Sequence, residues 1–228
     1  MNWSWVKNCT YQIGEILPRQ AIYSVECLHN YVSAAAWWKR QEQQPRMLVS
    51  CRNDIFSCAG AMIGNRQALY LEFGVYYGES LRLCSRLLSH PAARLHGFDS
   101  FQGLPEAWSA RYGAGDLSVN GKIPVFDDPR IRLYPGWFEE VLPAYTPPTH
   151  EILLINCDAD LFSSALTVLH YARQWLRPGD LLYFDEFHHA AGERLAFEMF
   201  RHGNPLQFIP ISATHARNHV LWQAQARN

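Results

Sequence analysis

The sequence predicts an α/β protein: an open, mostly parallel sheet of seven strands with an antiparallel C-terminal edge, preceded by a helical N-terminal cap. Three observations carry this. From Ala68 onward, short apolar runs alternate with stretches of helical period. Ile152–Asn156 is near-continuously apolar, as a strand buried on both faces must be. Before Ala68 the pattern is helical.

Taken in order, Trp5, Cys9, Ile13 and Ile16 recur at roughly helical spacing and end at Pro18. A second helix runs from about Ala21 to Gln43 on Val25, Leu28, Val32, Ala36 and Trp37, before Pro45 breaks it. Residues 1–66 are therefore expected to form a cap and 67–228 the sheet domain. Leu69–Phe73 reads as the first strand, Glu79–Leu88 as a helix and Leu95–Phe98 as the second strand. Ile131–Tyr134 is the third strand and Ile152–Asn156 the fourth. The helix Phe162–Trp175 stops at Pro178-Gly179, and Leu181–Phe184 is the fifth strand. The helix Gly192–Phe200 and the strands Gln207–Ile211 and His219–Gln223 complete the chain, the last two as a hairpin-like edge. The turn-rich stretch from about Ser109 to Pro129 is long enough for a lid over a site, or else is a tolerated surface insertion.

Composition bounds the function. The 228 residues are 48% hydrophobic and 18% charged, enough for a sizeable core. A net charge of −1 gives no electrostatic reason to expect a nucleic acid or an anionic membrane as partner. No apolar run approaches the roughly 20 residues that span a bilayer. The first residues lack the basic-then-apolar pattern of a secretion signal, and the 6 scattered cysteines form no Cys-x-x-Cys pair. Reduced thiols in a cytoplasmic protein are the expectation. Aromatic residues reach 14%; they could fill a core, or line a pocket for a flat or sulfonium-bearing ligand.

In a doubly wound sheet, ligands bind beyond the carboxyl ends of the strands. The first strand is followed by Gly74-Val75-Tyr76-Tyr77-Gly78, whose Gly-x-x-x-Gly spacing is neither a dinucleotide fingerprint nor a phosphate loop. Asp99 ends the second strand, where a carboxylate can accept both hydroxyls of a ribose or cap the next helix. Asp158 and Asp160 follow the fourth strand; Asp185, Glu186, His188 and His189 follow the fifth. If those strands are neighbours, they lie about 4.8 Å apart and Asp158, Asp185 and Glu186 converge. Acids that close repel, so a hard cation such as Mg²⁺ or Mn²⁺ is expected, with helix capping by each acid as the alternative. His188 and His189 could serve as base, ligand or solvated loop.

Read in series, these segments resemble the macrocin O-methyltransferase family. The resemblance is carried by Leu71-Glu-Phe-Gly-Val-Tyr-Tyr-Gly-Glu-Ser80, Gly97-Phe-Asp-Ser-Phe-Gln-Gly-Leu-Pro-Glu-Ala-Trp108 and Gly136-Trp-Phe-Glu-Glu-Val-Leu-Pro143. It continues through Asp158-Ala-Asp-Leu-Phe-Ser-Ser164, Pro178-Gly-Asp-Leu-Leu-Tyr-Phe-Asp-Glu-Phe187 and Gly192-Glu-Arg-Leu-Ala-Phe197. It implies a Rossmann-like class I methyltransferase fold that uses S-adenosyl-L-methionine to methylate a hydroxyl of a small molecule, a sugar or glycosylated natural product. It implies that Glu72 and Gly74 shape the methionine side of the cofactor site, with Gly78 and Ser80 near it. Asp99 would hold the ribose, Ser100 and Phe101 would lie beside the adenosine, and Gly136 and Trp137 would border the adenine. Asp158, Asp185 and Glu186 match the family's metal-binding acids. Asp158 matches its base, which it would share with the cofactor site, and His188 is the alternative base. The chain departs from the family at Phe162 and at Glu186-Phe187, where Tyr and a second Asp-Tyr pair are usual. Two rival functions share the architecture: a nicotinamide-dependent oxidoreductase, and a non-catalytic methyltransferase-fold partner subunit. The resemblance also implies that the cap, residues 1–66, serves acceptor recognition, or else oligomer contact, since its aromatic helices could make a homodimer contact.

Overall fold

A computed structural model describes residues 3–227. Helices α1 (Trp3–Ile16) and α2 (Arg19–Lys39) are divided by Pro18, which cannot continue a helix but fits at the start of one. The α1 helix buries none of its residues; Trp3, Trp5, Ile13 and Ile16 are all exposed. Of the expected α2 stripe, Val25, Leu28, Val32 and Ala36 are exposed and Trp37 is buried, on a face it shares with Asn30, Ala34 and Trp38. The two indoles decide this rotation. Trp38 stacks on Trp222 with ring centroids 5.6 Å apart, and Trp37 meets Phe187 at 5.3 Å. Burying two Trp rings removes about as much apolar surface from water as the three aliphatic side chains would, and adds specific ring–ring contacts.

The sheet contains eight strands, not seven: β1 (Met47–Val49), β2 (Ala68–Phe73), β3 (Arg94–Asp99), β4 (Ile131–Pro135), β5 (Ile152–Cys157), β6 (Leu181–Phe184), β7 (Leu206–Thr214) and β8 (Val220–Ala226). Their order is β1-β7-β8-β6-β5-β2-β3-β4. Only β8 runs against its neighbours β6 and β7; the other pairings are parallel. The antiparallel pair therefore does not form the edge. The three-residue β1 lies outside β7, too short for its apolar period to register in sequence.

Helices cover both faces. On one, α3 (Arg52–Ile63) and α4 (Glu79–Leu87) pack Ile55, Phe56, Ala59 and Leu81 against Tyr70, Leu154 and Tyr183. On the other, α2, α6 (Phe162–Ala172) and α7 (Glu193–Arg201) pack against Leu71, Phe73, Ile155 and Phe184. So β1 and α3, which lie inside the first 66 residues, belong to the sheet by pairing and packing. The chain turns one way from β2 to β3 and the other from β5 to β6, so β2 and β5 flank the switch point. A helical turn, α5 (Phe138–Val141), follows β4, while the long connection between β3 and β4 forms turns without helix or strand. No helix among the described residues is long and apolar enough to cross a membrane.

Candidate active site

A cavity of about 380 Å³ opens at the carboxyl ends of β2, β3, β5 and β6, a size usual for a small-molecule site. Its floor, at the strand ends, is Gly74, Asp99, Asp158 and Asp185; Ser100, Gly136 and Trp137, Tyr23 of α2, and Trp108 and Tyr112 of the long connection also line it. The loop so rich in turns thus supplies part of the wall.

The backbone is strained where the strands end. Tyr76, Phe101 and Asp160 take positive φ values of 50°, 58° and 57°. Non-glycine residues there cost on the order of 1 kcal/mol and persist only where surroundings enforce them. At Gly74, with φ 96°, a Cβ would overlap the Asp158 carbonyl, so glycine is required for β2 and β5 to approach. Asp99 enforces part of this geometry. Its Oδ2 accepts the Val75 and Tyr76 N–H groups at 2.8 Å each, and its Oδ1 accepts the Phe101 N–H at 2.7 Å. Both lone pairs of Oδ2 are thereby engaged, and Oδ1 keeps one further acceptor site.

Several expected positions stand back from the cavity. Glu72 is 1% exposed and accepts a hydrogen bond from the Tyr70 hydroxyl, beneath the floor. Burial drives its pKa up to about 8 against the pull of Tyr70, Asn156 and Arg52. Gly78 and Ser80 are buried at the start of α4, where a Cβ on Gly78 would strike the Phe126 ring. Phe101 points into the core with Val119. His188 lines an adjoining smaller cavity that shares Tyr23, Trp108 and Glu186 with the main one. Its ring stacks on Tyr31 at 4.4 Å, and its Nδ1 lies 3.1 Å from Glu186 Oε2, in ion-pair range without hydrogen-bond geometry.

The acids at the ends of β5 and β6 do come together, with partners the sequence did not reveal. Burial, then Asp185 and Asp160, pushes the Asp158 carboxyl well above the usual range. Burial and Glu186 push Asp160 up to about 8. Asp185 goes the other way: burial alone would raise it, but His219, Tyr183 and Arg52 hold it below its ordinary value. His219 Nδ1 lies 3.2 Å from Asp185 Oδ1, the Tyr183 hydroxyl donates to the same oxygen at 2.5 Å, and Arg52 Nη1 is 3.6 Å away. The fully buried Glu193, at the start of α7, ties the two loops together by accepting N–H groups of Ala159, Asp160 and Glu186 at 3.1, 3.3 and 2.8 Å.

The expected divalent cation does not fit this arrangement. Among the described residues no three His, Cys, Asp or Glu side chains are placed to enclose a metal ion. Of the three expected ligands, Asp185 is already engaged by Arg52, Tyr183 and His219, and Glu186 pairs with His188. Arg52 and Glu193 are the functional candidates that sequence reading missed. Arg52 lay in a segment read as cap, and Glu193 in a run that carried the resemblance and a helix start but no assigned role.

A profile of the macrocin O-methyltransferase (TylF) family matches residues 58–218. The chain is 30% identical over 138 residues to an 8-demethyl-8-(2,3-dimethoxy-α-L-rhamnosyl)-tetracenomycin-C 4′-O-methyltransferase of Streptomyces olivaceus, covering 51% of this chain and 52% of that protein. It is 28% identical over 100 residues to the mycinamicin III 3″-O-methyltransferase of Micromonospora griseorubida, covering 43% and 37%. The chain thus spans about half the length, or less, of these two relatives. Among solved structures, the O-methyltransferase NovP superposes with a TM-score of 0.58 at 20% identity, over 77% of this chain and 80% of that one. The calicheamicin methyltransferase CalS11 does so with 0.58 at 23% identity, over 75% and 77%. These superpositions show the fold: the α/β sheet of the O-methyltransferases. The profile spans the Gly74 turn, Asp99, the Gly136–Trp137 edge and both acidic strand ends, and on that match the chain belongs to the macrocin O-methyltransferase family.

Proposed function

We propose that this chain is an S-adenosyl-L-methionine-dependent O-methyltransferase acting on a hydroxyl of a small molecule, a sugar or a glycosylated natural product. The observation that carries the reading is the cavity at the switch point, lined by the Gly74 turn, Asp99, the Gly136–Trp137 edge and the acids of β5 and β6. The Gly74 turn lets a ligand approach the backbone, and the acceptor site left on Asp99 Oδ1 suits a ribose hydroxyl. Trp137 offers an aromatic wall for a flat base. Bound S-adenosyl-L-methionine supplies a methyl group on a sulfonium. The protein must align the acceptor oxygen with it and take the hydroxyl proton. Asp158 lines the cavity, and its raised pKa makes its carboxylate a stronger base than an exposed one. His188, which lines the adjoining cavity, is the alternative base. Tyr23, Trp108 and Tyr112 present ring faces and edges of the kind that pack on sugar rings. The name of one relative specifies a rhamnosyl-bearing acceptor.

Calorimetry with S-adenosylhomocysteine tests the cofactor half. Wild-type protein binds, and Asp99→Ala weakens binding at least tenfold, about 1.4 kcal/mol. Unchanged affinity in a folded Asp99→Ala protein removes Asp99 from the ribose site. Methylation of sugar-bearing acceptors, read as a mass gain, tests the catalytic half, and Asp158→Asn should abolish it while leaving S-adenosylhomocysteine affinity within about threefold. Binding of a nicotinamide cofactor instead, or of no cofactor, would favour the oxidoreductase or the partner subunit.

A further inference from the structure

We propose that the Arg52 guanidinium is the resident cation of the acidic strand ends and fills the place where a divalent metal would otherwise be required. The inference rests on the reading above of where the reaction occurs. It begins with topology. Because β8 opposes both β6 and β7, and β1 is parallel to β7, β1 runs in the same direction as β5 and β6. The β1–α3 connection therefore lies at the same carboxyl edge as Asp158 and Asp185. A capping box fixes the start of α3: the Cys51 N–H donates to Asp54 Oδ2 at 3.2 Å, and the thiol meets the same oxygen at 3.4 Å. Arg52 is the first residue of that helix, so its side chain is launched from a fixed point into the cavity.

Its surroundings suit a counter-charge. Among the described residues, Arg52 is the only Lys or Arg lining a cavity that also holds Asp99, Asp158, Asp160, Asp185 and Glu186. It lies 3.6 Å from Asp185 and 3.7 Å from Glu79, distances of ion pairing rather than hydrogen bonding. A guanidinium carries five N–H donors and stays protonated, so these contacts leave donors free to face an acceptor oxygen. Arg52 thereby does two things a metal would do: it offsets the repulsion among the acids and offers positive charge where an alkoxide would form. It is a positioning residue for the carboxylates and needs no exogenous ion.

Titration of the full-length protein with Mn²⁺ alone, followed by the electron paramagnetic resonance of the free ion, tests this. Wild-type protein should take up no Mn²⁺ below millimolar concentration. Arg52→Met keeps the apolar stem but removes the charge; it should bind one Mn²⁺ per chain at least tenfold more tightly than wild type. Arg52→Lys restores the charge and should behave as wild type. If Arg52→Met fails to fold by circular dichroism, Arg52→Gln reads the same quantity. Equal Mn²⁺ affinity in wild type and charge-removed variant, whether tight or immeasurable, overturns the proposal. Binding of S-adenosylhomocysteine to wild type is measured separately, so loss of the methyltransferase reading is distinguishable from loss of this one.

Discussion

His96 shows how much one buried side chain can be made to report. It sits on β3 at 7% exposure, with its Nδ1 2.7 Å from the Tyr145 hydroxyl. Burial, then Arg132 and Arg94, lowers its pKa from 6.5 to about 4. The unfolded chain takes up that proton as pH falls through about 6.5, while the folded chain resists until about 4. The stability gained from the neutral ring is therefore complete above 6.5 and lost as pH falls toward 4. Glu72 works in the opposite sense: its pKa rises from 4.5 to about 8, so its contribution is present below 4.5 and lost as pH rises through 8. The two slopes oppose each other in wild type. They separate when wild type is compared with His96→Gln by urea denaturation. Between pH 7 and pH 4.5 the wild type should lose about 2 kcal/mol more than the variant. Parallel pH profiles would mean that His96 is protonated as readily in the fold as outside it.

At the scale of elements, the join between the β5 and β6 ends depends on α7 through one residue. Glu193 is fully buried and accepts three backbone N–H groups, two from the β5 loop and one from the β6 loop. Glu193→Ala strands these donors away from water and should cost about 3 kcal/mol or more in urea denaturation. Glu193→Gln keeps one acceptor oxygen and should fall between. Hydrogen exchange localises the effect: the Ala159, Asp160 and Glu186 amides should lose protection first. Fast exchange at distant β3 amides instead would show global loosening rather than a broken clamp. The central strands were legible because burial on both faces leaves near-continuous apolar runs, as in Ile152–Cys157 and Leu181–Phe184. Asp99 and the acids of β5 and β6 were legible because they follow those runs directly. Arg52 was not, since β1 spans three residues and has no readable period. Neither was the rest of the buried face of α2, since Trp37 extends a stripe through Val25, Leu28 and Val32 as readily as one through Asn30 and Ala34. What separates the two stripes is the aromatic pocket of Phe187, Phe197 and Trp222, which comes from far along the chain.

For the whole molecule, the two N-terminal helices contribute unequally to stability. The α1 helix buries no residue and leaves Trp3, Trp5, Ile13 and Ile16 exposed. The α2 helix is bound at several points: the Trp37 indole donates to Glu198 Oε1 at 2.5 Å, Asn30 Oδ1 accepts the Ala190 N–H at 3.0 Å, and Ser33 Oγ accepts from Arg194 at 2.7 Å. Glu26 also accepts the Ala110 N–H at 3.0 Å, fastening the loop that walls the cavity. Deleting residues 1–17 should therefore shift the melting temperature by no more than about 3 °C, on the order of 1 kcal/mol for a chain this size. Deleting residues 1–43 removes both buried indoles and these hydrogen bonds. Each indole buries on the order of 200 Å², several kcal/mol at roughly 25 cal/mol per Å², so the longer deletion should melt more than 10 °C lower or fail to fold. Thermal unfolding followed by circular dichroism distinguishes the two. A fall of more than about 5 °C in the shorter deletion would mean that α1 supports the fold through contacts its exposure does not reveal. If the longer deletion melted like wild type, α2 would be a docked accessory and not part of the core.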